Sequence, residues 1–198
     1  MKYFLILIIG ILFIGCNNKI PPKAEFRVNP KIPDEKLSAL SCKDKSLKIA
    51  QAFSSNSLMS QDMSYAQGDA KQYIYSKSKW ASTPNRAIGD MYLKLLRATD
   101  IFNSVQVSKS RSRNDYILEI NIEDFMQYFN EDSSSSYANV SITLSLIESS
   151  TSIVFATKTF SSKADVKSLN AEGGVDALNS ALGDVMNQSD KWFEEVCK

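Results

Sequence analysis

DYILEINIEDF (residues 115–125) and YANVSITLSLIESS (residues 137–150) alternate apolar and polar side chains, one for one. In the first segment Tyr116, Leu118, Ile120 and Ile122 share one side, and Glu119, Asn121 and Glu123 the other. In the second, Ala138, Val140, Ile142, Leu144 and Leu146 alternate with Asn139, Ser141, Thr143 and Ser145. Such alternation marks strands with one buried face and one face turned to water or to a partner. Between them QYFNEDSSSSY reads as a polar hairpin loop, and SSTS after Glu148 as a tighter turn into a further strand, IVFATKTF. FNSVQVS (residues 102–108) supplies a strand just upstream.

Two segments on either side carry helical spacing. ASTPNRAIGDMYLKLLRATD has Thr83 placed as an N-cap and Pro84 at the first helical position, with Ile88, Met91, Leu95 and Thr99 recurring on one stripe. GGVDALNSALGDVMNQSDKWFEEVCK steps through Val175, Leu178, Leu182, Val185, Ser189, Trp192 and Val196, with Asp176, Asp184, Lys191 and Glu195 off the stripe. SLKIAQAF (residues 46–53) reads as a strand, and Met63 to Tyr65 and Gln72 to Ser76 as short edges. The expected fold is an α+β two-layer sandwich, a mostly antiparallel sheet with both amphipathic helices packed on its one apolar face.

The N-terminus has a different character. MKYFLILIIGILFIGC places one positive charge before an apolar run from Phe4 to Gly15, too short to span a bilayer. That is the layout of a secretory signal peptide. The small residue followed at once by cysteine resembles a bacterial lipobox, although Phe13 stands where leucine is usual; an ordinary cleavage site would want a small residue there instead. The resemblance implies that Cys16 is acylated, palmitate being a usual chain, and becomes the first mature residue. Two or three acyl chains give lasting attachment where one does not. The division expected is a signal peptide over 1–15, the lipidated cysteine and a proline-rich tether over 16–41, and one domain over 42–198. Fully extended at about 3.1 Å per residue, the prolyl stretch would hold the domain some 50 to 60 Å from the lipid.

Of the remaining cysteines, Cys42 and Cys197 form an even pair in an exported chain, and a disulfide is expected. Removing residues 1–15 takes only Lys2 from the 23 basic residues and leaves them balanced by the 22 acidic ones. No basic excess exists to drive binding of a phosphate backbone, so nucleic acid is not an expected partner. The chain has no histidine, the commonest general base and metal ligand. The acidic pairs Glu123/Asp124, Glu131/Asp132 and Glu194/Glu195 are adjacent, so on regular strands or helices their side chains diverge. No phosphate-binding glycine loop and no nucleophile elbow occurs. No enzyme, cofactor or metal site is therefore expected.

The order of elements, from KWASTP into a helix, through NDYILEINIEDF and YANVSITLSLIES, to a C-terminal helix ending DKWFEEV, resembles the ABC-type transport auxiliary lipoprotein family over about residues 42–196. The resemblance implies a non-catalytic component that accompanies a permease, an ATPase and an MCE-domain protein in moving phospholipid or similar substrates between two membranes. Asn17 after the cysteine, in place of the aspartate that retains some lipoproteins at the inner membrane, favours a periplasm-facing position on the outer membrane. Association of several copies stays open. A different reading is a lipoprotein that assists assembly of an outer-membrane β-barrel. Candidate partner-binding residues are Glu119, Asn121, Ser141 and Thr143 on the polar sheet face, together with Tyr75 and Trp80. For Trp80 a core plug at the strand-to-helix corner is the competing role. Tyr73, Tyr75 and Tyr128 are candidates to line a lipid or protein contact, or simply pack on strands.

Overall fold

The computed structural model describes residues 21–32, 41–68 and 70–198. Cys16 and Asn17, and with them the lipidation expectation, lie outside the described residues. The elements run β1 (Ala24–Phe26), β2 (Ser46–Ile49), β3 (Phe53–Ser54), β4 (Asp62–Gln67), β5 (Lys71–Trp80), α1 (Pro84–Ala98), β6 (Ser104–Val107), β7 (Tyr116–Phe129), β8 (Ser136–Glu148), β9 (Ile153–Asp165) and α2 (Ala171–Val196). The strands form one sheet with β7 at its centre.

Along one side β7 pairs antiparallel with β8, which pairs antiparallel with β9. Along the other side β2, β3 and β4 lie end to end, each parallel to β7. Helix α1 returns the chain so that it runs beside β2 in the same sense, since parallel neighbours need a crossover connection. The long ladders are therefore antiparallel as expected, while β1–β5 and β2–β6 add two more short parallel pairings and make the sheet mixed.

Both helices cover the same face. Ile88, Tyr92, Leu95 and Leu96 of α1 and Leu178, Leu182, Val185 and Phe193 of α2 are buried over Leu118, Ile120, Ile122, Val140, Ile142 and Leu144. The apolar side of each alternating strand thus finds its cover, the main favourable term of folding. Where the helices meet, Ser189 Oγ donates to Tyr92 Oη at 3.3 Å. Thr83 holds the N-cap position of α1 without a side-chain cap bond, and Pro84 begins the helix. Helix α2 starts two residues ahead of Gly173, because Asn170 Oδ1 accepts from the Gly173 amide at 2.9 Å.

Trp80 is only 3% exposed and stacks at a tilt on Phe125, 5.6 Å between centroids. It is a core plug at the end of β5 and has no surface to offer a partner. Trp192 is likewise buried, edge-on to Phe160. Cys42 and Cys197 are bonded, with Cα atoms 5.2 Å apart, and beside them the Ser41 amide donates to the Cys197 carbonyl.

Part of the stretch expected as a tether is folded. Ala24, Glu25 and Phe26 pair with Ser78, Lys79 and Trp80 of β5. Val28 and Pro30 are buried, and the Asn29 amide donates to Asn179 Oδ1 of α2 at 2.7 Å. Proline blocks helix but not this seating, because the segment lies flat against Gly183, where a Cβ would come 3.2 Å from the Lys31 carbonyl oxygen.

Candidate docking face

The face of β7, β8 and β9 away from the helices is open. On it Asn121 stands directly opposite Thr143, Glu119 opposite Ser145, and Asp124 opposite Ser141. The four expected residues Glu119, Asn121, Ser141 and Thr143 therefore share one surface, as alternation required. Hydroxyl bridges tie its strands: Thr143 to Thr159 at 2.7 Å and Ser145 to Thr157 at 2.9 Å. Side chains bonded to each other in this way are held flat and lose less freedom when a partner arrives.

Adjacent carboxylates do converge here, contrary to the expectation for Glu123 and Asp124. The register shifts between Ile122 and Asp124, so Glu123 is the extra residue of a β-bulge. Glu123 accepts from Thr143 Oγ1, and from Ser141 Oγ at 3.4 Å, while Asp124 accepts from Asn139 Nδ2 at 2.6 Å and Tyr128 Oη at 2.8 Å. Burial holds the Asp124 carboxyl above its usual range against those lowering hydrogen bonds. Part of the signal was in the sequence: the apolar positions run Leu118, Ile120, Ile122 and then Phe125, a slip of one at Glu123 that the buried Gln127 continues in the structure. Beyond the bulge Tyr128 stacks on Tyr137 at 5.3 Å, and Lys163 Nζ sits 4.9 Å from the Tyr137 ring centroid.

Tyr75 lies elsewhere. It belongs to the helix-side face at the far end of the sheet, where its hydroxyl donates to Gln127 Oε1 at 2.9 Å and its ring meets Tyr65 at 4.5 Å. Burial raises its pKa. Gln127 is itself buried and donates to Ser136 Oγ.

The space between helices and sheet is filled by the core. A concavity of about 520 Å³ at the start of β7 is open to solvent and lined by Lys45, Arg113, Asp115, Tyr116, Glu148 and neighbours. An enclosed apolar cavity of the kind that takes small hydrophobic ligands has a different lining. Among the described residues no group of three or more acidic or cysteine side chains could hold a metal ion, and no helix is long and apolar enough to cross a membrane.

Two solved structures share this architecture. XCC0632 of Xanthomonas campestris superposes with a TM-score of 0.77 at 17% identity, over 87% of this chain and 95% of its own. A second crystal structure, of an uncharacterized protein, gives 0.62 at 13% identity over 89% and 99%. PelC of Paraburkholderia phytofirmans, a dodecamer, gives 0.45 at 14% identity over 76% and 90%. No curated protein matches the chain by sequence. The profile of the ABC-type transport auxiliary lipoprotein component matches residues 34–188, and the chain belongs to that family.

Proposed function

We propose that this protein is a lipid-anchored, non-catalytic component of an MCE-type ABC transport system that moves phospholipid or similar hydrophobic molecules between inner and outer membranes. The observation that carries the reading is the open, polar, hydrogen-bonded face of β7, β8 and β9 on a member of a transport-auxiliary lipoprotein family. Acyl chains on Cys16 fix the protein to the outer membrane, facing the periplasm. The outer sheet face then docks a protein of the transporter, and the ATP-driven chemistry belongs to the other subunits. Glu119, Asn121, Ser141 and Thr143 sit at the middle of the docking surface, where a stable interface buries on the order of 800 Å² per partner.

The test is affinity purification of the full-length lipoprotein from crosslinked, detergent-solubilised cells, followed by mass spectrometry. Recovery of an MCE-domain protein with its permease is the expected result. Recovery of an outer-membrane β-barrel in their place would replace this reading with a role in barrel assembly. Deletion of the gene should also expose phospholipid at the cell surface and weaken detergent resistance.

A further inference from the structure

The described chain leaves the fold at Ala24, which is opposite Ser78 on β5. Seven residues lie between Cys16 and Ala24, and the eight Cα-to-Cα steps reach about 28 Å when fully extended. The 50 to 60 Å spacer expected from the prolines is therefore shortened by half, because Ala24 to Ile32 lie on the domain.

The direction of the exit is also defined. Strand β1 runs parallel to β5, so the chain arrives at Ala24 from the side of the β4–β5 hairpin, whose exposed residues include Lys71, Gln72, Tyr73 and Ile74. Five residue steps of strand, about 17 Å, separate Ser78 from Tyr73. Reaching the level of Tyr73 uses most of the available length and leaves roughly 10 Å to the acylated cysteine. The opposite end of the sheet, with Tyr116 and Phe155, is a further 40 Å or so away along β7.

The surface at the near end joins amphipathic and apolar side chains to the acidic β7–β8 turn, where Glu131 and Asp132 are exposed and Gln67 Nε2 donates to the Glu131 carbonyl. Ile74 is 55% exposed and Tyr73 41%, Tyr73 being stacked on Tyr65, and Leu169 is exposed just before α2. Asn170, next to Leu169, lines the same shallow groove as Tyr75, Ser76 and Lys77. Tyrosine places an apolar ring and a polar tip at the level of lipid headgroups, and exposed Lys71 and Lys77 flank the pair. Resting on the acylation of Cys16, we propose that the end of the sheet carrying Tyr73 and Ile74, with Leu169 beside it, lies on the headgroup surface of the phospholipid bilayer that holds the acyl chains. The docking face then stands upright from the membrane, with the Phe155 end pointing into the periplasm.

The test uses full-length lipidated protein in liposomes of phosphatidylethanolamine and phosphatidylglycerol containing a brominated phospholipid. Tyr73→Trp and, separately, Ile74→Trp report contact through quenching of the new indole; both sites are exposed and tolerate the change. Phe155→Trp is the distal control, and the wild type gives the background of buried Trp80 and Trp192. Quenching of the near-end variants at least twofold above both references is expected. Flotation with the liposomes but no excess quenching overturns the proposal and leaves acylation standing. Failure to float overturns the acylation reading and this proposal with it.

Discussion

A Cβ on Gly173 would lie 2.1 Å from the carbonyl oxygen of Ser168, inside the backbone of the turn that leads into α2. No side chain can rotate away to relieve that overlap, so Gly173→Ala must shift the start of the helix and disturb the Asn170 cap. A loss of about 1–3 kcal/mol is expected, as for other overpacked sites. Gly89 on α1 is the opposite case, its nearest neighbour being the Ala52 methyl at 3.9 Å. Gly89→Ala should stabilise by up to about 1 kcal/mol through helix propensity alone. Urea melts of the two variants beside the wild type check both signs.

The Cys42–Cys197 bond closes a loop across a sequence separation of 155, joining the approach to β2 with the end of α2. Chain entropy alone gives such a link on the order of 5 kcal/mol. Both sulfurs are buried, so reductant acts mainly on the unfolded chain. Urea unfolding with and without dithiothreitol should show a midpoint lowered by more than a third in the reduced protein. Coincident curves would mean that the ends of the domain are held without the bond.

Asp190 is 6% exposed, its Oδ1 has no hydrogen-bond partner, and burial together with Glu194 pushes its pKa up to about 6. An acid raised in the folded state binds more protons there than in the unfolded chain, so its ionisation erodes stability as pH climbs from about 4 to 6 and no further above that. Asp190→Asn should therefore match the wild type below pH 4 and melt higher at pH 7.5. With solvent screening the gain is a few °C at most. Thermal melts from pH 3.5 to 7.5 in steps of half a unit test the sign; a lower Tm for the variant at pH 7.5 contradicts it.

Period-two alternation in residues 116–122 and 138–146 was sufficient to orient β7 and β8 and to place Glu119, Asn121, Ser141 and Thr143 together, because a buried face leaves little freedom of register. Helical spacing found both helices for the same reason. What escaped were features set by non-local pairing. Ala24–Phe26 has no pattern of its own and becomes a strand only because the free edge of β5 is beside it. Strands β2, β3 and β4 are short and polar between their contacts, so their parallel alignment with β7 depends on where α1 returns the chain. The proline count suggested a spacer, yet Pro30 is buried beside Gly183. The convergence of Glu123 and Asp124 needed only the slip in alternation at the bulge to be noticed.

Charge placed on the outer sheet face should separate docking from folding. Glu119 and Asn121 are exposed and their cross-strand neighbours, Ser145 and Thr143, are neutral, so Glu119→Arg with Asn121→Arg introduces no clash within the domain. Surface changes of this kind usually stay within about 0.5 kcal/mol, and Tm should move by no more than about 2 °C. Two guanidinium groups at the centre of a face that a partner covers would instead be desolvated without a matching anion, which is costly. Recovery of the transporter protein in crosslinked pull-downs should fall at least tenfold. Asp176→Arg, exposed on α2 in the other layer, is the control and should leave recovery unchanged. Equal losses from both sets would mean that net charge rather than this face governs the association, and full recovery from the double variant would move the docking surface off β7 and β8.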